Sequence, residues 1–254
     1  MDYFMHVEAI PALKDNYIWA IHAKNDRIVI VDPGDATPVI NYLKNHHLTL
    51  SALLITHHHW DHTNGIQKLK ETYNVPIYGP DDIVHVTHIL NNTANLSIDH
   101  INFKIITVPG HTQDHLAYYC EDKIFCGDTL FAAGCGRLFE GTAEMMFDSL
   151  QKISSLPNET KIYCAHEYTL HNLQFAKIVE PENEKIVSRI NKINTIRAQT
   201  LPSLPSLLFE EKETNPFLRC HIKTVIKSAE KYANRTLNSP VEVFSVIRKW
   251  KDSF

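Results

Sequence analysis

Ten residues constrain this chain more than any other stretch. THHHWDHTNG (56–65) follows directly on the apolar run SALLIT (51–56). Imidazoles at His57, His59 and His62 and a carboxylate at Asp61 crowd into six positions, a density that an ordinary solvated loop does not need. A tight loop turns alternate residues the same way, so His57 and His59 are expected to share one metal ion while Asp61 and His62 face a second. His58 falls out of that register and is not expected to ligate. Neutral imidazole with carboxylate suits Zn²⁺, Fe and Mn²⁺, and the absence of a thiolate in the stretch argues against a closed structural zinc site.

Three further candidates end predicted strands. His111 follows FKIITVPG (103–110), Asp128 closes KIFCGD (123–128) and His166 closes KIYCAH (161–166). Strand ends on one edge of a sheet are where ligand groups converge in α/β folds. A single such residue is more often structural, but three beside the first cluster make seven: His57, His59, Asp61, His62, His111, Asp128 and His166. One catalytic ion needs only about three protein ligands, so seven point to two ions and a hydrolytic centre. His57, His59 and His111 are assigned to the first ion, and Asp61, His62 and His166 to the second. Asp128 bridges them, because a carboxylate has two oxygens. Water held between two such ions ionises near neutrality and attacks a carbonyl that one ion polarises. Asp61 and Asp128 are the carboxylates placed closest to that chemistry. Zn²⁺ is the expected metal, with Fe or Mn compatible.

The surrounding pattern is layered. FMHVEAI (4–10), YIWAIH (17–22), RIVIVD (27–32), SALLIT, VPIYG (75–79), FKIITVPG, LAYYC (116–120), KIFCGD and KIYCAH read as strands by length, β-branching and turn punctuation. Val39, Ile40 and Leu43 set a helix over 37–46, and a second lies around Ile66 and Leu69. Strands alternating with helices, beside hairpin-like neighbours, predict an α/β fold with a mixed sheet. Beyond about residue 170 the strand signals vanish, and apolar residues recur at three- and four-residue intervals, broken by LPSLPS (201–206) and closed by EVFSVIRKW. The expected division is an α/β domain over 1–168 and a helical domain over 169–254.

Composition excludes several classes. Lys and Arg number 25 against 29 Asp and Glu, a net charge of −4 without a basic block, so no nucleic-acid partner is expected. Five cysteines without C-x-x-C spacing argue against a disulfide framework and for a reducing compartment. MDYFMHVEAI carries no basic-then-apolar leader, and no apolar run approaches membrane length. A cytoplasmic monomer without membrane contact is the expectation. No G-x-S-x-G elbow is present, and Cys120, Cys126, Cys164 and Cys220 read as core. Cys135 sits in AAGCGR, read as a flexible Gly-rich loop.

T-H-x-H-x-D-H followed by separated His, Asp and His resembles the metallo-β-lactamase superfamily, which implies an αβ/βα sandwich with two metals at one edge. VDPG (31–34) looks like that superfamily's early Asp-containing turn, in which Asp32 would orient ligands from behind; an ordinary turn explains Pro33 and Gly34 equally well. GHTQDHLAYY, CGDTLFAAGCGRLFEGTAEMM, CAHEYTLHNLQFA and NPFLR resemble more closely glyoxalase II, the hydroxyacylglutathione hydrolases, over essentially the whole chain. The resemblance implies hydrolysis of S-(2-hydroxyacyl)glutathione, with S-D-lactoylglutathione the example, to glutathione and D-lactate in methylglyoxal detoxification. It further implies that Arg137, Phe139, Tyr168, Arg248 and Lys251 hold the glutathione moiety, as cations and a hydroxyl donor suit a substrate with free carboxylates. Some family members have Tyr in place of Phe139 and Lys in place of Arg137, departures that bear on substrate affinity and not on the metal set. Within the same superfamily, a persulfide dioxygenase would use one iron and leave the second ligand set unneeded. A nuclease would need a basic surface, and a degenerate metal-binding module would not need seven intact ligands.

Overall fold

The computed structural model describes residues 5–91 and 95–254; Phe4, where the first predicted strand begins, lies outside them. The chain forms two compact units, Met1–Thr107 with Asp114–Gly127, and Val108–Gln113 with Asp128–Phe254. This grouping differs from a division at 168/169, because the segments around His111 and Asp128 make their contacts with the helical part.

The first unit opens with an antiparallel run of β1 (Val7–Ala12), β2 (Asn16–His22) and β3 (Arg27–Val31). Helix α1 (Ala36–Asn45) then crosses to β4 (Thr49–Leu54), which lies parallel to β3. After α2 (Trp60–Thr63) and α3 (Ile66–Tyr73), β5 (Ile77–Gly79) and β6 (His88–Ile89) extend the parallel edge. Strands β3 and β4 are buried on both faces, which is why they read as continuous apolar runs. β1 continues through Pro11, two residues past the predicted end, because an edge strand tolerates a missing donor. Asp35 caps α1 by accepting from Thr37 N at 2.8 Å. Ile10, Ile18, Ile30 and Leu53 of the sheet meet Val39 and Leu43 of α1 and Ile66 and Leu69 of α3 in one core. A second antiparallel layer runs β7 (Asn95–Ile98), β8 (Ile101–Thr107), β9 (Leu116–Cys120) and β10 (Lys123–Gly127). The buried Tyr118 hydroxyl of β9 donates to Ile55 O at 2.6 Å, tying this layer to the end of β4.

The second unit carries the hairpin β11 (Leu130–Phe131) and β12 (Gly134–Cys135), helix α4 (Ala143–Ser154), β13 (Lys161–Cys164) and helices α5 (Thr169–Val179) and α6 (Glu184–Ala198). Strand β14 (Ser206–Leu207) and helices α7 (Leu208–Thr214), α8 (Lys223–Ala233) and α9 (Pro240–Asp252) complete it. Three features correct the sequence reading. Helix α4 was not anticipated, although Thr142 caps it and Met146, Leu150 and Ile153 bury one face. LPSLPS does not simply interrupt helices: it ends in β14, which pairs Ser206 with Ile162 of β13. AAGCGR is not a flexible loop but the β11–β12 turn, with Ala133 at φ +55° and Cys135 buried. All five cysteines are buried and none forms a disulfide, and burial pushes Cys135 up to about 11 and Cys120 and Cys164 up to about 12. They pack and do not attack. Among the described residues no helix is long and apolar enough to cross a membrane.

Candidate metal centre

In the first unit the ligand-rich stretch is not one loop. His57 and His59 stand on the extended segment after β4, whereas Asp61 and His62 ride the single helical turn α2. His57 Nε2 lies 3.1 Å from His59 Nδ1, and His62 Nε2 lies 3.5 Å from Asp61 Oδ2. Asn16 Nδ2 donates to the same Asp61 oxygen at 3.0 Å. The His57 and His62 rings are fully buried, with centroids 4.1 Å apart. His58 turns instead to the carboxylate of Asp82.

Behind these rings sits Asp32, buried and held at φ +51°, a left-handed conformation that a non-glycine residue keeps only where its surroundings impose it. Its carboxylate accepts from Thr56 N and Thr56 Oγ1, both at 2.7 Å, and from His62 Nδ1 at 2.9 Å. Because the Thr56 hydroxyl proton goes to Asp32, its oxygen accepts from His57 Nδ1, 3.0 Å away. Both imidazoles therefore carry their proton on Nδ1 and present a bare Nε2, the tautomer a metal ion requires. Of the two readings of VDPG, the orienting one holds. His115 stacks on His57 at 4.6 Å, and Gly127, at φ +47°, closes the space: a Cβ there would stand 2.4 Å from Thr56 Oγ1. Asp32→Asn replaces an acceptor by an amide that opposes the His62 N–H. We expect metal affinity to fall by about 10–100-fold, measured by competition with a chromophoric chelator.

The second unit supplies a matching set. His111 lies on the segment after β8, Asp128 directly follows β10, and His166 stands just past β13. His111 Nε2 faces Asp128 Oδ2 at 3.5 Å, and His166 Nε2 faces Asp128 Oδ1 at 3.4 Å. One carboxylate thus divides its oxygens between two imidazoles. His111 Nδ1 donates to Arg137 O at 2.9 Å, which again leaves Nε2 as the lone pair. This approach needs Gly136, where a Cβ would fall 1.9 Å from Asp128 O. The 3.4–3.5 Å separations exceed those of charge-assisted hydrogen bonds. They match two ligand atoms each about 2.0–2.1 Å from a shared ion at near-tetrahedral angles, which places them roughly 3.3 Å apart. Imidazole and carboxylate donors in this arrangement fit a divalent metal.

A cavity of about 380 Å³ in the second unit opens on His111 and Asp128 and is lined by Arg137, Phe139, Tyr168, Arg248 and Lys251. Arg248 is buried and donates to Cys135 O at 2.8 Å and to Asp252 Oδ1 at 3.1 Å. Arg137 Nε lies 3.6 Å from the same Asp252 oxygen. Tyr168 stacks on His166 with ring centroids 4.7 Å apart, and Phe139 stands at the rim with its ring 5.2 Å from His111. Lys251 Nζ is buried against the Phe175 and Phe254 rings, at 5.3 and 4.7 Å. Burial first, and the Arg248 charge second, push its ammonium down to about 8. Sequence reasoning missed Asp252, His171, Asn172 and Phe254 in this lining. Asp252 was findable only as the residue four beyond Arg248 on one helix face.

The comparisons agree with this chemistry. A family model for the hydroxyacylglutathione hydrolase C-terminus matches residues 167–254, and the metallo-β-lactamase superfamily model matches 14–166. The chain is 47% identical over 254 residues to the hydroxyacylglutathione hydrolase of Nitrosomonas europaea, covering 98% of this chain and 97% of that protein. It is 48% identical to that of Aliivibrio fischeri, covering 98% and 100%. Among solved structures, ETHE1 from Myxococcus xanthus superposes with a TM-score of 0.70 at 20% identity, over 98% of this chain and 91% of that one. The BLEG-1 B3 metallo-β-lactamase superposes at 0.65 and 23% identity, over 84% and 99%. These two likenesses identify the fold, the metallo-β-lactamase α/β architecture.

Proposed function

Because this chain belongs to the hydroxyacylglutathione hydrolase family of the metallo-β-lactamase superfamily, we propose that it hydrolyses S-(2-hydroxyacyl)glutathione, with S-D-lactoylglutathione the expected substrate, to glutathione and D-lactate. This is the second step of methylglyoxal detoxification, here assigned to a cytoplasmic monomer. The observation that carries the reading is a single cavity that joins His111 and Asp128 to the cations Arg137, Arg248 and Lys251.

His57, His59 and His111 would hold one zinc ion, Asp61, His62 and His166 a second, with Asp128 serving both. Bound there, the ions supply Lewis acidity that eases ionisation of water and polarises a thioester carbonyl. The chain's own residues do the rest. Asp32 and the Arg137 carbonyl fix the imidazole tautomers, and Asn16 fixes Asp61. In the net reaction water oxygen bonds to the acyl carbon, the carbon–sulfur bond breaks, and the sulfur leaves with the proton as the thiol. Residues 1–168 would carry this chemistry and 169–254 would hold substrate carboxylates through Arg248 and Lys251, while Arg137, Tyr168 and Phe139 of the first stretch would add a charge, a hydroxyl hydrogen bond and apolar contact.

The test is a thioester assay on metal-quantified protein. Loss of S-D-lactoylglutathione should stop with chelator and return with zinc. Oxygen uptake on glutathione persulfide without thioester cleavage would overturn the assignment. A pH profile adds a residue-level check. Lys251 is charged below about 8 and neutral above, so kcat/KM should fall as pH rises through that value. Lys251→Arg keeps its charge and should abolish that alkaline limb. A limb that persists in the arginine variant would remove Lys251 from substrate recognition.

A further inference from the structure

A second group of metal-competent side chains stands on the β1–β2 hairpin. In the antiparallel register Val7 faces Ile21 and Glu8 faces Ala20, so His6 stands opposite His22, whose N–H donates to His6 O at 2.9 Å. Glu8, two residues along from His6, points to the same face and sits diagonal to His22. The two imidazole centroids are 5.2 Å apart, and His6 Nε2 lies 2.7 Å from Glu8 Oε1. One ligand atom from each of His6, Glu8 and His22 falls within 4.8 Å of the others. Tyr42 of α1 lies beside this face: its hydroxyl donates to Glu8 Oε2 and stands 2.9 Å from His22 Nε2.

We propose that His6, Glu8 and His22 form a further binding site for a zinc-class divalent ion, distinct from the seven-ligand set. Two imidazoles and one carboxylate, with a fourth position open to water, are a complete zinc donor set. The same set disfavours Mg²⁺ and Ca²⁺, which take all-oxygen shells. Burial lowers the basicity of His22 and so keeps its imidazole neutral, while the hydrogen bonds from Tyr42 and His6 hold Glu8 ionised. Burial and Glu8 keep the Tyr42 phenol protonated, so it orients the carboxylate and does not compete as a ligand. The His6 and Glu8 side chains are 62% and 40% exposed, which leaves the ion an open entry path.

The experiment dialyses the full chain against buffered micromolar free zinc and counts bound metal by mass spectrometry. Wild type, His6→Ala with His22→Ala, and Glu8→Gln are compared in parallel. Wild type should carry one more zinc per chain than the double variant, with thioester turnover equal in both, and magnesium should give no difference. Tyr42→Phe should weaken the site by roughly tenfold without removing it. Glu8→Gln preserves packing and should lose the same equivalent. Identical zinc content in all chains across the titration would overturn the proposal. The readout is a difference between chains that share the main centre, so it stands or fails separately from the assignment of that centre.

Discussion

Asp128→Asn should lower kcat/KM for S-D-lactoylglutathione by on the order of 10³-fold, about 4 kcal/mol of transition-state stabilisation. The expectation follows from one side chain. Asp128 Oδ2 faces His111 and Asp128 Oδ1 faces His166, so both oxygens are committed and neither is spare. An asparagine keeps the shape but offers one acceptor oxygen and one amide donor, and the donor end has no lone pair with which to ligate a metal ion. Metal content should fall together with turnover, and circular dichroism should stay unchanged. Near-full activity with two metals still bound would remove Asp128 from the bridging role. The loss should appear in kcat as much as in kcat/KM, because the affected interaction is made in the reaction and not in holding glutathione. Arg248→Ala should show the opposite split, raising KM more than it lowers kcat.

The second large effect concerns stability. Arg189 of α6 and Glu211 of α7 form an ion pair with both side chains buried. Glu211 Oε2 also accepts from Ala133 N at 2.7 Å and Asn215 Nδ2 at 3.0 Å, while Arg189 Nη1 donates to Thr214 Oγ1 at 2.6 Å. Asn215 in turn donates to Gly134 O at 2.9 Å, so the network clamps the β11–β12 turn that follows Asp128. Arg189→Met leaves a buried carboxylate without its cation and should cost about 3–5 kcal/mol in denaturant unfolding. Adding Glu211→Gln removes the stranded charge but keeps an acceptor for Ala133, and should recover a large part of that loss. A single-variant cost under about 1 kcal/mol would show that the pair is solvated and that the clamp rests on Asn215 alone.

Much of the site was legible in the sequence because its information is local. Imidazole and carboxylate identities, the spacing of 57, 59, 61 and 62, and the placement of His111, Asp128 and His166 after apolar runs are all carried by a few adjacent residues. β3 and β4 were legible for the same reason, since a strand buried on both faces announces itself as an unbroken Val, Ile and Leu run. Helix α4 is equally local, with a capping Thr142 and apolar residues at 146, 150 and 153, but only its first turn overlaps the motif that ends at Met146. The β11–β12 turn was misread because Gly134 and Gly136 mark close backbone approach there: a Cβ would meet Asn172 at one and Asp128 at the other. Glycine composition alone does not separate that from flexibility.

What the sequence by itself determined, then, is the donor chemistry, its order along the chain and the family. Only the tertiary structure decided which nitrogen is bare on His62 and on His111. That depends on Asp32 reaching His62 across thirty positions and on Arg137 O reaching His111 across twenty-six. It likewise decided that Asp128 splits its oxygens, that Asp252 stands between two arginines, and that His6 meets His22. Periodicity and residue type are written into neighbours in the chain, whereas a hydrogen bond between distant residues exists only after strands and helices have packed and fixed their register.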